Sequence, residues 1–180
     1  MTPTTLEPWQ QIPEWSSLAR YAQRPHYADH FYASVPGEIS IREWTEAFFC
    51  SDLFRSERFL LNRFVSEKAT DVTAHALGAG ASENFSAWRV EQRDQGQILL
   101  QFSMTRTWLA VQRCTAAGES NKLSTRLYLG SAVLGAFELT IAALLLRATL
   151  ASHRAYSRAL LRSGQKNLQS LQLSAGTLRD

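Results

Sequence analysis

Glu138, Thr149, His153 and Tyr156 are the residues of this sequence best equipped for chemistry, because helical spacing would gather them on one arc. At about 100° per residue, all four fall within about sixty degrees of His153, and Ser157 falls there too. Leu139, Ala142, Leu146, Leu150 and Leu160 share that arc, whereas Arg147, Arg154, Arg158 and Arg162 turn away from it, towards water. A few polar groups set in an apolar wall describe a ligand cavity. They would equally describe core residues hydrogen-bonded to a sheet or to buried water. In a catalytic version, His153 is the general base and Tyr156 or Glu138 its proton partner.

Other constellations carry less. His26 and His30 have the spacing by which a helix chelates zinc. Their segment reads as a strand, where that spacing holds the side chains ~13 Å apart. No metal site is expected. The sequence has no nucleophile elbow, no phosphate-cradling glycine loop and no dinucleotide fingerprint, so no cofactor is expected either.

The elements that position these residues follow from periodicity. Residues 26–35 alternate, with Tyr27, Asp29, Phe31, Ala33 and Val35 on one face and His26, His30 and Tyr32 on the other, which predicts a strand. Ser40 with Glu43 forms a capping-box pattern ahead of Ile41, Trp44, Ala47 and Phe48, and 52–65 reads as a second short helix. Residues 70–77 read as a strand, followed by a loop at Gly78 and Gly80. Alternation over 84–93, 98–105, 107–114 and 121–129, with a hairpin signal at Asp94-Gln95-Gly96, predicts an antiparallel meander with one buried face. Its inward residues are Ile98, Leu100, Phe102 and Met104, with Leu123, Leu127 and Leu129. Residues 132–163 are free of proline and predict one long helix stopping at Gly164, with a loose tail over 165–180. Residues 1–24, with Pro3, Pro8, Pro13, Trp9 and Trp15, read as an extended arm lying on the domain.

Composition sets the class. Among 180 residues, 45% are hydrophobic and 19% charged, enough for one domain with a real core, and disorder throughout is excluded. Residues 1–146 carry 13 basic and 15 acidic side chains, and 147–180 carry six and one. The basic balance therefore belongs to the C-terminal segment, and a nucleic-acid partner is not expected. Cys50 and Cys114 make no disulfide framework, and the opening MTPTTLEPWQQ lacks a secretory pattern, which points to the cytoplasm. The apolar run 132–151 approaches bilayer length, but Glu138 and Arg147 would each cost about 2.5 kcal/mol or more at mid-bilayer. A span is not expected, and membrane contact is disfavoured.

One strand, two short helices, a meander and a long C-terminal helix together resemble the START-like (SRPBCC) helix-grip superfamily. Its members include polyketide cyclases, lipid-transfer domains and the birch pollen allergen. The nearer likeness is to a bacterial START-like family of unassigned function. It is carried by Tyr27-Ala28-Asp29-His30-Phe31, Trp88-Arg89-Val90 and His153-Arg154 with Leu160-Leu161-Arg162, and runs from about Pro13 to Arg162. The clear strands number five, with one more in doubt, against about seven in a full helix grip. The resemblance implies an α+β domain over 25–164, its curved antiparallel sheet wrapped around the C-terminal helix. It also implies an apolar pocket between them for a lipid-like or aromatic small molecule.

The superfamily shares no catalytic residues, so none is carried over. The expected lining is Leu100, Phe102 and Met104 from the sheet with Glu138, Leu146, Thr149, Leu150, His153 and Tyr156 from the helix. Three functions stay open: a binding protein, a cyclase, dehydratase or isomerase using the same pocket, and a non-catalytic assembly protein. A homodimer is expected, through the apolar back of 134–148 or through the arm.

Overall fold

The computed structural model of the chain describes residues 11–23, 26–63, 67–115, 123–135 and 150–177. Strands β1 (Tyr27–Pro36), β2 (Asn84–Phe85), β3 (Trp88–Arg93), β4 (Gln97–Phe102), β5 (Thr105–Thr115) and β6 (Leu123–Val133) form one sheet. Its order is β1-β6-β5-β4-β3-β2 and every pair is antiparallel. Helices α1 (Ile41–Phe49), α2 (Asp52–Leu61), α3 (Asp71–Gly78) and α4 (Leu150–Thr177) complete the α+β fold. No helix among the described residues is long and apolar enough to cross a membrane.

Alternation in β1 sorts its side chains as expected. Phe31, Ala33 and Val35 join Ile98, Leu100, Leu109, Leu127 and Leu129 in the main core, under the helices. His30 and Tyr32 lie on the opposite face, against Tyr128. That face is covered too, which the expectation of a single buried face missed. A 3-10 helix (Ser17–Tyr21) lays fully buried Leu18 on it, and Trp15 packs against Trp108 and Tyr128 at 5.5 and 5.6 Å between ring centres. Gln97 Oε1 accepts from both Ser17 N–H and Trp108 Nε1–H, at 2.8 Å each, tying the segment to the sheet. Trp9 lies outside the described residues.

Helix α1 starts where its capping box requires: Ser40 accepts from the Glu43 N–H and Glu43 returns a bond to the Ser40 N–H. Helix α3 replaces the strand expected over 70–77. Thr70 and Thr73 cap each other reciprocally, a weaker sequence signal than a serine with a glutamate. Asp71 in its first turn meets Arg55 and Arg58 of α2. Burial alone would raise the Asp71 carboxyl, but the hydrogen bonds and charges of the two arginines outweigh it and hold it at about 2.

The C-terminal half departs most from expectation. Residues 132 and 133 extend β6, where Ala132 faces Ala28 and Arg106, and Val133 faces Tyr27 and Thr105. A central strand finds hydrogen-bond partners on both sides, which decides the state of residues whose apolar character suits either. Gly135, at φ 67°, follows the strand. The expected helix over 136–149, and with it most of the expected dimer face 134–148, lies outside the described residues.

Helix α4 does not stop at Gly164 but continues to Thr177. A Cβ at Gly164 would stand 2.9 Å from Trp44 Cη2 and Cζ3 and 3.3 Å from the Phe48 Cα. The glycine is therefore a close-approach point between α4 and α1. Asn167 Nδ2–H donates to the Ala47 carbonyl at 3.0 Å just beyond it. A Gly164→Leu variant is expected to lose about 3 kcal/mol of stability by overpacking. Gly164→Ala should lose less, since its clash is set against about 1 kcal/mol of helix propensity. Urea denaturation checks the pair, and an undisturbed leucine variant would mean that α4 is not seated on Trp44.

Helix α4 packs on β1 and β6 and on α1 and α2, while α1 lies over β5. The sheet face is thus shared among helices, not wrapped on the last one alone. Arg154 and Arg158, expected in water, lie over β1. Arg154 Nε is 4.0 Å from Asp29 Oδ2, and the Arg158 guanidinium sits 5.0 Å above the Phe31 ring.

Candidate functional site: an aromatic cavity under the C-terminal helix

Between the sheet, α1, α2 and α4 lies a cavity of about 280 Å³. Its walls come from aromatic residues at helical and strand spacing: Phe48 and Phe49 of α1, Phe54 of α2, Trp88 of β3 and Phe102 of β4. These rings touch in sequence, with Phe49–Phe54 at 4.8 Å, Phe54–Trp88 at 5.7 Å and Trp88–Phe102 at 5.3 Å between centres. Leu129 and Val133 of β6 and Leu160 of α4 add aliphatic surface.

Two polar clusters interrupt the wall. The first follows from strand register: Asp29 of β1 lies directly opposite Ser131 of β6, and both point to the helix side. Ser131 donates its single hydroxyl proton to Asp29 Oδ1 at 2.7 Å. Its contact with His153 Nε2, also 2.7 Å, must then be a bond that His153 donates. Nε2 therefore carries hydrogen and cannot take the proton from Ser131. Ser131 is not placed as an activated nucleophile. Tyr27 gives a second hydroxyl bond to Asp29 Oδ2 at 2.7 Å. Burial first, and the Asp29 charge second, push the Tyr27 phenol well up.

The second cluster joins α2 to α4, where Tyr156 O–H donates to Glu57 Oε2. Tyr156 is 37% exposed, so this pair stands at the cavity mouth. Burial raises the Glu57 carboxyl above the ordinary range, partly opposed by the Tyr156 bond. Burial also raises the Tyr156 phenol, with Glu57 adding to it, and keeps it a neutral donor.

Of the expected lining, His153, Tyr156 and Phe102 face the cavity. Leu100 is buried in the core without reaching it. Met104 is corrected: strand β4 ends at Phe102, Ser103 turns at φ 50°, and Met104 is 55% exposed in the hairpin. Glu138, Leu146 and Thr149 lie outside the described residues, as does the side chain of Leu150. The loop expected at Gly78 and Gly80 is corrected in part: Gly78 closes α3 against α1, Gly80 lies in the turn that follows, and neither lines the cavity.

Glu57, Ser131 and Ser157 were not anticipated as lining residues. Glu57 stands three residues after Phe54 and four after Leu53, on the apolar face of α2, a detectable signal. Asp29 was equally visible among Tyr27, Phe31 and Ala33 on the inward face of β1.

No group of three or more metal-ligating side chains occurs among the described residues. His26 Nδ1 accepts from the Gly135 N–H at 3.1 Å, while His30 is buried beside Trp108 and Tyr128. Comparison with protein-family models, curated proteins and solved structures finds no match to the chain.

Proposed function

We propose that the chain is a binding protein for a small hydrophobic molecule, lipid-like or aromatic, held between the sheet and α4. The observation that carries this reading is the 280 Å³ cavity walled by five aromatic side chains and edged by two polar clusters. Ligand sites are mostly apolar with a few placed polar groups, and run from about 300 Å³ upward. The volume suits one or two fused rings or a short chain. A START-like arrangement, with its C-terminal helix closing a pocket, accords with the element order and with α4 over β1 and β6. A catalytic use is less well supported, because His153, the candidate general base, carries hydrogen on the Nε2 that it turns to Ser131.

The apolar fluorophore N-phenyl-1-naphthylamine is expected to brighten on binding the wild-type protein. Leu129→Trp, which puts an indole into the cavity, is expected to weaken that binding at least about ten-fold, or about 1.4 kcal/mol. Circular dichroism melts verify that the variant folds. No binding by the wild type, or equal binding by a folded Leu129→Trp protein, would refute the reading.

A further inference from the structure

We propose that the cavity selects an apolar amine, with the protonated nitrogen held at Glu57 and the hydrocarbon body among the aromatic walls. This rests on the binding reading above and adds the chemical class of the ligand.

Among the described residues that line the cavity, Glu57, Arg106 and His153 are the groups able to carry charge near neutrality. Arg106 is engaged on the opposite face, where its Nε meets Glu91 Oε2 at 2.5 Å and Tyr21 Oη at 3.3 Å. His153 gives its Nε2–H to Ser131. Behind Ser131, the Asp29 carboxylate has Arg154 and His153 at 4.0 Å. Glu57 alone has no cation beside it among the described residues. Among the described residues its hydrogen-bond partner is the Tyr156 hydroxyl, which is held at Oε2.

A carboxylate in apolar surroundings is poorly solvated, and an incoming ammonium would restore what burial removes. The surroundings add to this. Phe54, one turn before Glu57 on α2, belongs to the chain of rings Phe49–Phe54–Trp88–Phe102, and aromatic faces attract cations within about 6 Å. The placement at the mouth fits a molecule with one polar end, since the head stays partly hydrated while the body enters the wall. An anionic ligand such as a fatty acid would instead meet Glu57 with no free counter-charge among the described lining residues. The geometry thus separates amines from acids of the same shape.

Three probes of matched shape test the proposal at neutral pH: 1-naphthylmethylamine, 1-naphthylmethanol and 1-naphthoic acid, titrated by calorimetry. The wild-type protein is expected to bind the amine about ten-fold more tightly than the alcohol, with the acid weakest. Glu57→Gln keeps an acceptor for Tyr156 and is expected to level amine and alcohol while changing the alcohol affinity less than about three-fold. Tyr156→Phe, which retains the carboxylate, is expected to keep the preference for the amine. An amine bound no better than the alcohol by the wild type would overturn the proposal, as would a preference that survives Glu57→Gln. Binding of the alcohol alone would leave the apolar cavity standing and remove the amine, whereas no binding of any probe would remove both.

Discussion

Trp44→Ala is expected to cost about 4 kcal/mol of folding stability, the largest effect of any substitution considered for this protein. Trp44 is completely buried, and its indole packs edge-on against Phe48 with ring centres 5.8 Å apart. Its tip lies under Gly164, so α1 and α4 would lose their common contact. Truncating a buried aromatic to alanine costs about 3–5 kcal/mol. The indole Nε1–H also donates to the Tyr128 carbonyl at 2.9 Å, fixing α1 to β6. Trp44→Phe, which loses that bond but fills most of the volume, should cost about half as much. Folded domains hold only about 5–15 kcal/mol in all, so the alanine variant should unfold at much lower urea. Far-ultraviolet circular dichroism reads this without relying on tryptophan emission. A loss below about 1.5 kcal/mol would mean that the space collapses around the missing ring.

The second large effect is expected at Asp29. Asp29→Ala should destabilise the fold by about 3 kcal/mol, because the hydroxyls of Tyr27 and Ser131 lose their acceptor and Arg154 loses a nearby counter-charge. Asp29→Asn keeps the shape but turns an amide N–H₂ towards a hydroxyl donor, so it should recover only part of the loss. The alanine variant also frees the Ser131 proton to turn to His153. Nitrogen NMR of the imidazole should then show hydrogen moving from Nε2 to Nδ1, while the wild type keeps it on Nε2. An unchanged tautomer would argue against the proton order deduced for Asp29, Ser131 and His153.

The parts of this fold legible in the sequence are those decided within a few residues. The two faces of β1 follow from alternation, and the start of α1 follows from Ser40 and Glu43. The parts that were not legible depend on distant partners. Helix α3 spans only eight residues, and its short apolar run suits a strand as well as a helix. Residues 132 and 133 belong to β6 because β1 and β5 flank them, a fact no local window contains. Gly164 carries a helix onward because Trp44, 120 positions earlier, needs the missing Cβ. At the site, His153 and Tyr156 were reachable from helical spacing, since they share one arc of α4. Their bonding partners, Ser131 and Glu57, come from β6 and α2 and could be found only once those elements met.

The pairing of β1 with β6 also bears on how the protein is made. Their partnered residues stand roughly ninety to a hundred positions apart, as Pro36 with Ser124 and Tyr27 with Val133 show. At about 5–20 residues per second, β1 leaves the ribosome about 5–20 s before β6 does. During that interval Phe31, Ala33 and Val35 have no sheet to join, and Leu18 has no Trp108 or Gly130 to cover. The β3–β4–β5 meander, by contrast, closes through short turns and can assemble as it emerges. Helix α4 follows the other described elements in the chain, so the aromatic wall of the cavity stays open until that helix has been made. The apolar occupant proposed above would therefore meet an open cavity during synthesis, before α4 docks, while β1 is the strand left longest without its partner.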